Sequence, residues 1–316
     1  MSTKKATFGI FLACSSAIAT GAFGMFLNYL YEFEMSDMFI TVFTPLFPGI
    51  AFLIYTLIKN PKALVLKKKL YYFTVIIGSG VILFPLYNYA YVQVFTYLPM
   101  AIASLFHFMN AVVLIVFMRV IFKHKITKDK IICSVLAIIG LMLVLNIFTD
   151  ISAGGITALG LFWGVAVAVA LAASYTLDFF HVQIDIHPLA LQTYICLFTA
   201  FTYFISYSPV EFVNDFTLSL QNHGFMVIVV LVGYGLAILV SYGAITASYR
   251  YIDAAKGSLA FVLEPSTAAL LGFILFKEAL SISQIIGIVI AICAIVYMQY
   301  SEAKADELSE DAGTQQ

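Results

Sequence analysis

Ten runs of predominantly apolar residues, each close to the length a helix needs to cross a bilayer, leave this chain few folds to choose from. The runs cover residues 7–30, 38–58, 70–93, 98–121, 130–149, 156–180, 188–208, 224–247, 254–276 and 282–300, with short polar stretches between them. A spanning helix needs about 20 apolar residues, and lipid demands that every backbone polar group be satisfied within the spanning structure. Composition agrees: 62% of the residues are hydrophobic and 10% are charged, against about a quarter charged in a soluble domain. The expected fold class is an all-α polytopic membrane protein of ten transmembrane helices, an integral protein of the plasma (inner) membrane. The first run, preceded by Lys4 and Lys5, also has the outline of a secretory signal peptide, but its length suits a full span.

The cations are gathered rather than scattered. With the N-terminus in the cytoplasm, Lys4, Lys5, Lys59, Lys62, Lys67, Lys68, Lys69, Arg119, Lys123, Lys125, Lys128, Lys130, Arg250, Lys256 and Lys304 fall inside and Lys277 alone falls outside. The opposite loops carry Glu32, Glu34, Asp37, Asp150, Glu211, Asp215 and Glu278. This bias predicts that both termini are cytoplasmic. The net charge of −1 implies no nucleic-acid partner. Cys14, Cys133, Cys196 and Cys293 each sit inside an apolar run without CxxC spacing, so they read as packing residues, and no metal site is expected.

Two halves of the chain overlay in two long blocks, each without gaps. Tyr97 to Leu105 lies over Tyr251 to Leu259, an offset of 154 (251 − 97), which also brings Phe122-Lys123 onto Phe276-Lys277 and Ile131-Ile132 onto Ile285-Ile286. Earlier in each half, Gly9 and Phe11 match Gly160 and Phe162, and Ala17 matches Ala168. A five-helix unit has an odd number of crossings, so its second copy enters from the opposite side: two inverted repeats, as in many secondary transporters.

The segment Ser258 to Leu280, with Leu263-Glu264-Pro265 followed by a small-residue helix, Lys277-Glu278-Ala279-Leu280, and then Gln284-Ile-Ile-Gly287, resembles the end of an EamA-type domain of the drug/metabolite transporter superfamily. The first half is looser, with Asn110-Ala111 in place of Glu-Pro and Lys123-His124-Lys125-Ile126 in place of the Gly-Glu-x-Leu turn. The resemblance implies two EamA-like repeats, 7–149 and 156–300, around a central cavity that moves amino acids, related metabolites or drugs, often outward. The acidic segment 301–316 reads as a disordered cytoplasmic tail.

An ionisable side chain at bilayer depth is a site hypothesis by default. Glu264 and His107 lie near the midplane of their runs, and Asn110 is the repeat equivalent of Glu264. Glu264 is expected to bind a substrate ammonium or to take a proton, with His107 as its proton partner; the plainer alternatives are a carboxyl that hydrogen-bonds helix ends freed by Pro265 and a neutral core histidine. Asn88 with Tyr242 and Tyr87 with Ser241 are a further matched set, and Phe84, Asn88, Tyr91 and Phe95 share one helix stripe. Such a stripe lines a cavity or packs against neighbours. Thr20 and Trp163 complete the candidate substrate-binding residues, while Asp178 and His181 are expected near the cytoplasmic end, where water reaches them.

The sequence holds no HExxH, no clustered carboxylates and no phosphate loop, so neither catalysis nor ATP hydrolysis is expected, and no cofactor is implied. The leading expectation is a secondary carrier of small organic solutes working by alternating access, with proton coupling and export as its finer details. One acid, several Tyr and Asn and no midplane Lys or Arg suit a zwitterionic or cationic solute. The alternatives are an uncoupled facilitator or exchanger, an amine-drug exporter, and a membrane enzyme or interaction protein without transport. Besides substrate and lipid, a second copy in a homodimer is a partner the sequence leaves open.

Overall fold

The computed structural model describes residues 3–98, 100–124, 126–145, 157–276 and 281–313. Every regular element among them is helical. In chain order they are α1 (Thr3–Gly21), α2 (Phe23–Glu32), α3 (Asp37–Lys59), a 3-10 turn (Pro61–Leu64), α4 (Lys69–Tyr72), a π-helical stretch (Phe73–Leu83), α5 (Phe84–Tyr97), α6 (Met100–Phe108), α7 (Asn110–Phe122), α8 (Lys128–Val144), α9 (Ala158–Gln183), α10 (Pro188–Tyr203), α11 (Pro209–His223), α12 (Met226–Ser248), α13 (Ala254–Leu259), a 3-10 turn (Ala260–Val262), α14 (Leu263–Phe276) and α15 (Ile282–Gly313). Asp150, Lys125 and the Lys277–Leu280 turn lie outside the described residues.

Seven helical segments are long and apolar enough to cross a membrane: Lys5–Glu32, Asp37–Lys59, Lys69–Tyr91, Leu105–Phe122, Ala158–Gln183, Met226–Ser248 and Ala254–Leu275. α8, α10 and the apolar helix Ile282–Ala294 fall on the other three expected runs. Many large apolar side chains point outward, including Phe11, Ile54, Phe73, Val120, Phe201, Ile274 and Val296. Such a surface is stable against acyl chains and not against water. This is an integral membrane protein.

Local chemistry explains where the helices start and bend. Ser36, Thr127, Thr157 and Asp253 accept from backbone N–H groups at the starts of α3, α8, α9 and α13. In the third run Pro85 has no N–H to give. The register has shifted to π-type bonding, with Phe84 N donating to the Ser79 carbonyl. The Gly80 carbonyl, which Pro85 would otherwise serve, accepts the Thr199 hydroxyl of α10 at 2.8 Å. The fourth and ninth runs break at repeat-equivalent positions, just before Asn110 and just before Leu263-Glu264.

The helices pair mainly across the two halves: α8 against α15, α3 against α10, α1 against α12 and α5 against α9. At the first of these seams the Gly140 and Gly287 backbones touch, and Cys133 Sγ lies 3.6 Å from the Ala294 carbonyl. One end of the bundle is basic, with Lys130 Nζ 2.6 Å from Asp253 and Lys67 Nζ 3.0 Å from Asp185. The other is acidic: Asp215 accepts from Ser36 and from Tyr207, the latter at 2.5 Å, and Asn222 donates to Glu34.

Two elements differ from the sequence reading. Residues 209–223, read as loop, form α11, nucleated by the Ser208–Glu211 capping box and held by Phe212 stacked on Phe39 at 4.4 Å. The segment expected as a disordered tail continues α15 as far as Gly313; Ala303, Ala305, Glu307 and Leu308 are good helix formers that extend an existing helix without a new nucleus.

Candidate substrate site

The broken ninth run places Glu264 one residue into α14, directly after the 3-10 turn. α1 comes close to this point because Gly21 has no side chain. A Cβ there would stand 2.5 Å from the Glu264 carbonyl oxygen and 2.6 Å from Thr267 Cβ. The half-buried Glu264 carboxyl has no ion-pair or hydrogen-bond partner among the described residues. It therefore does not hydrogen-bond the backbone that Pro265 frees. Instead the hydroxyls of Tyr87 and Tyr91 on α5 and of Tyr175 on α9 lie within its electrostatic reach.

His107 joins this group through aromatic contacts and not through Glu264. Its Nε2 is 3.0 Å from the Tyr87 hydroxyl, Tyr87 stacks on its ring at 5.8 Å, and Tyr91 meets it edge-on at 5.1 Å. Phe84 links Tyr87 to Tyr242 of α12, with ring centroids 5.8 and 5.6 Å away. Phe261, in the turn before Glu264, stacks on Tyr175 at 6.1 Å. Side chains from α5, α6, α9, α12 and the α13–α14 turn thus form one aromatic assembly containing one carboxyl and one imidazole.

Other sequence candidates fall elsewhere or are already occupied. Asn110 is buried and donates to the His107 carbonyl at 2.6 Å, which leaves its Oδ1 without a partner. Asn88 donates to Phe84 O, one turn back, at 2.7 Å. Thr20 and Ser241 bond each other at 2.7 Å, and Ser16 donates to the Ser241 carbonyl at 2.8 Å, a hydroxyl cluster that fastens α1 to α12. Trp163 packs edge-on against the outward-facing Tyr89 at 5.5 Å and joins the same hydrophobic cluster as Tyr87 and Tyr91.

Asp178 and His181, expected at the wet end of the sixth run, are 8% and 0% exposed. α9 continues to Gln183 and is covered by α10, α12 and the π-helical stretch, so neither side chain reaches water. Phe261 and Ser16 belong to the site or its supports and were not among the sequence candidates.

The EamA-like transporter family model matches residues 7–146 and again 158–300. A solved structure titled "Crystal structure of protein" superposes with a TM-score of 0.73 at 12% identity, covering 96% of this chain and 99% of that one. At that identity the likeness is one of fold. No curated protein sequence matches this one. Two family-model matches over most of an apolar helical chain place this protein in the EamA-like transporter family: it is a membrane transporter of the drug/metabolite transporter superfamily.

Proposed function

We propose that this transporter crosses the bilayer ten times as two inverted five-helix halves, with both termini cytoplasmic, and exports small organic solutes bearing an ammonium group, amino acids and related metabolites among them. The packing supports inversion. Residues 133 and 140 of α8 meet 294 and 287 of α15, so these helices run antiparallel. Applying the offset of 154 (251 − 97) to one contact generates the other. In the same way, Gly9 abuts Tyr251 while Gly160 abuts Tyr97 and Leu98. Alternating access is then rocking of one half against the other about a midplane site.

The observation that carries the solute class is the unpaired Glu264 carboxyl within reach of three tyrosines. A carboxylate within electrostatic reach of tyrosine hydroxyls suits an ammonium group attached to an apolar body, through charge attraction. Between turnovers the same carboxyl takes a proton, because an uncompensated buried charge is costly. His107 supports the site by holding Tyr87.

Glu264→Gln tests this in liposomes. Loss of pH-driven uptake together with weakened exchange of ammonium-bearing solutes is the expected result. Unchanged pH dependence would rule out coupling through Glu264 and favour an uncoupled facilitator.

A further inference from the structure

Asp178 is a buried acid that the substrate site does not use. Its Oδ1 has no partner among the described residues, Gln192 of α10 stands beside it, and Ser174 one turn earlier also has an unpartnered hydroxyl. Gln192 is itself engaged, donating to Thr246 at 2.6 Å and accepting from Cys196 at 3.7 Å. The titratable groups facing Asp178 are Cys196 on α10, Tyr249 at the end of α12 and Tyr175 on its own helix. His181, one turn nearer the basic end, bonds Thr74 of the π-helical stretch at 3.0 Å. No lysine, arginine or further acid from α5, α6, α7, α13 or that stretch pairs with Asp178 among the described residues.

A carboxylate in such surroundings either holds a proton or leaves a bare charge in low dielectric, which costs far more than a proton at neutral pH. At the foot of α9 a cleft of about 290 Å³ opens at the basic end between Lys62, Lys67, Ile184, His187 and Arg250. Asp178 lies six residues above Ile184, about 9 Å at helical rise.

We propose that Asp178 is a second proton-binding site, separate from Glu264. The site does not depend on transport or on the function proposed above.

Infrared difference spectroscopy of the purified full chain during a pH titration tests this. In wild type two protonated-carboxyl bands are expected, one lost in Asp178→Asn and the other in Glu264→Gln. Asp178→Glu, which keeps a carboxyl, restores the first band and guards against a variant that fails to fold. A titrating band that survives Asp178→Asn, with no band lost, overturns the proposal. So does removal of the Asp178 band by sodium at constant pH, which would make the site a metal-cation site. Failure of the Glu264 band alone refutes the coupling role of Glu264 and leaves the Asp178 site standing.

Discussion

Gly287→Ala is expected to open the seam on which the two halves meet. A Cβ at this position would stand 2.7 Å from the Gly140 carbonyl oxygen, 2.7 Å from Val144 N and 2.8 Å from Val144 Cγ2, where ordinary contact begins at 3.4 Å. Two of the three obstacles are backbone atoms, so no side-chain rotation relieves them. α15 must move off α8 by about 0.7 Å (3.4 − 2.7). A gap of that size forfeits about a quarter to a half of each dispersion contact across it, and overpacking costs about 1–3 kcal/mol. Replacing a helical glycine by alanine returns about 1 kcal/mol of helix propensity. With the clash at the upper end of its range, the net loss is about 1–2 kcal/mol. Gly140→Ala, whose nearest obstacle is 3.0 Å away, should lose less, and Gly24→Ala, with nothing within 4 Å, should lose nothing. Thermal unfolding of the three purified variants in one detergent reads the order directly. Gly287→Ala melting at or above wild type would refute the close backbone crossing and the symmetry argued from it.

Other consequences are equally concrete. Tyr87→Phe removes the hydroxyl bonded to His107 Nε2 and should cost about 0.5–1.5 kcal/mol, seen as a lower melting temperature together with weaker solute binding; a change in neither would separate His107 from the site. Ser241→Ala takes the 2.7 Å partner from Thr20 and should loosen α1 from α12 by about 1 kcal/mol, seen as a lower melting temperature. Burial pushes the Asp253 carboxyl up, but the charges of Lys130 and Lys256, with hydrogen bonds from Lys130 and from the Lys256 amide, more than offset this and hold it below the ordinary aspartate value. A depressed carboxyl stabilises the fold above the unfolded-state value, and this stabilisation fades as pH falls through the folded one. Lys130→Met should therefore move the acid-side loss of melting temperature to higher pH; superimposable pH profiles would contradict the pairing.

The spans were legible because hydrocarbon thickness dictates their length, and the repeat because its two ungapped blocks include positions where backbones touch. Gly9, Tyr97, Gly160 and Tyr251 all reappear in reciprocal contacts. Glu264 could be picked out from depth alone. What the sequence could not supply was direction and partnership. Thr20 and Ser241 satisfy each other, and Trp163 packs on Tyr89, because helix rotation is set by packing that no single run encodes. α11 escaped notice because its polar face, with Glu211, Asp215 and Asn222, has the composition of a loop. The burial of Asp178 and His181 depended on a few residues of helix length and on which neighbours cover the end of α9.

Counterflow in liposomes tests the central claim most directly. Purified protein reconstituted with a preloaded unlabelled amino acid or amine should transiently concentrate the same labelled solute from outside. Empty liposomes should not, and Glu264→Ala should abolish the effect. Absence of counterflow for every zwitterionic and cationic solute in such a panel, from protein that remains folded, would contradict a carrier built around Glu264.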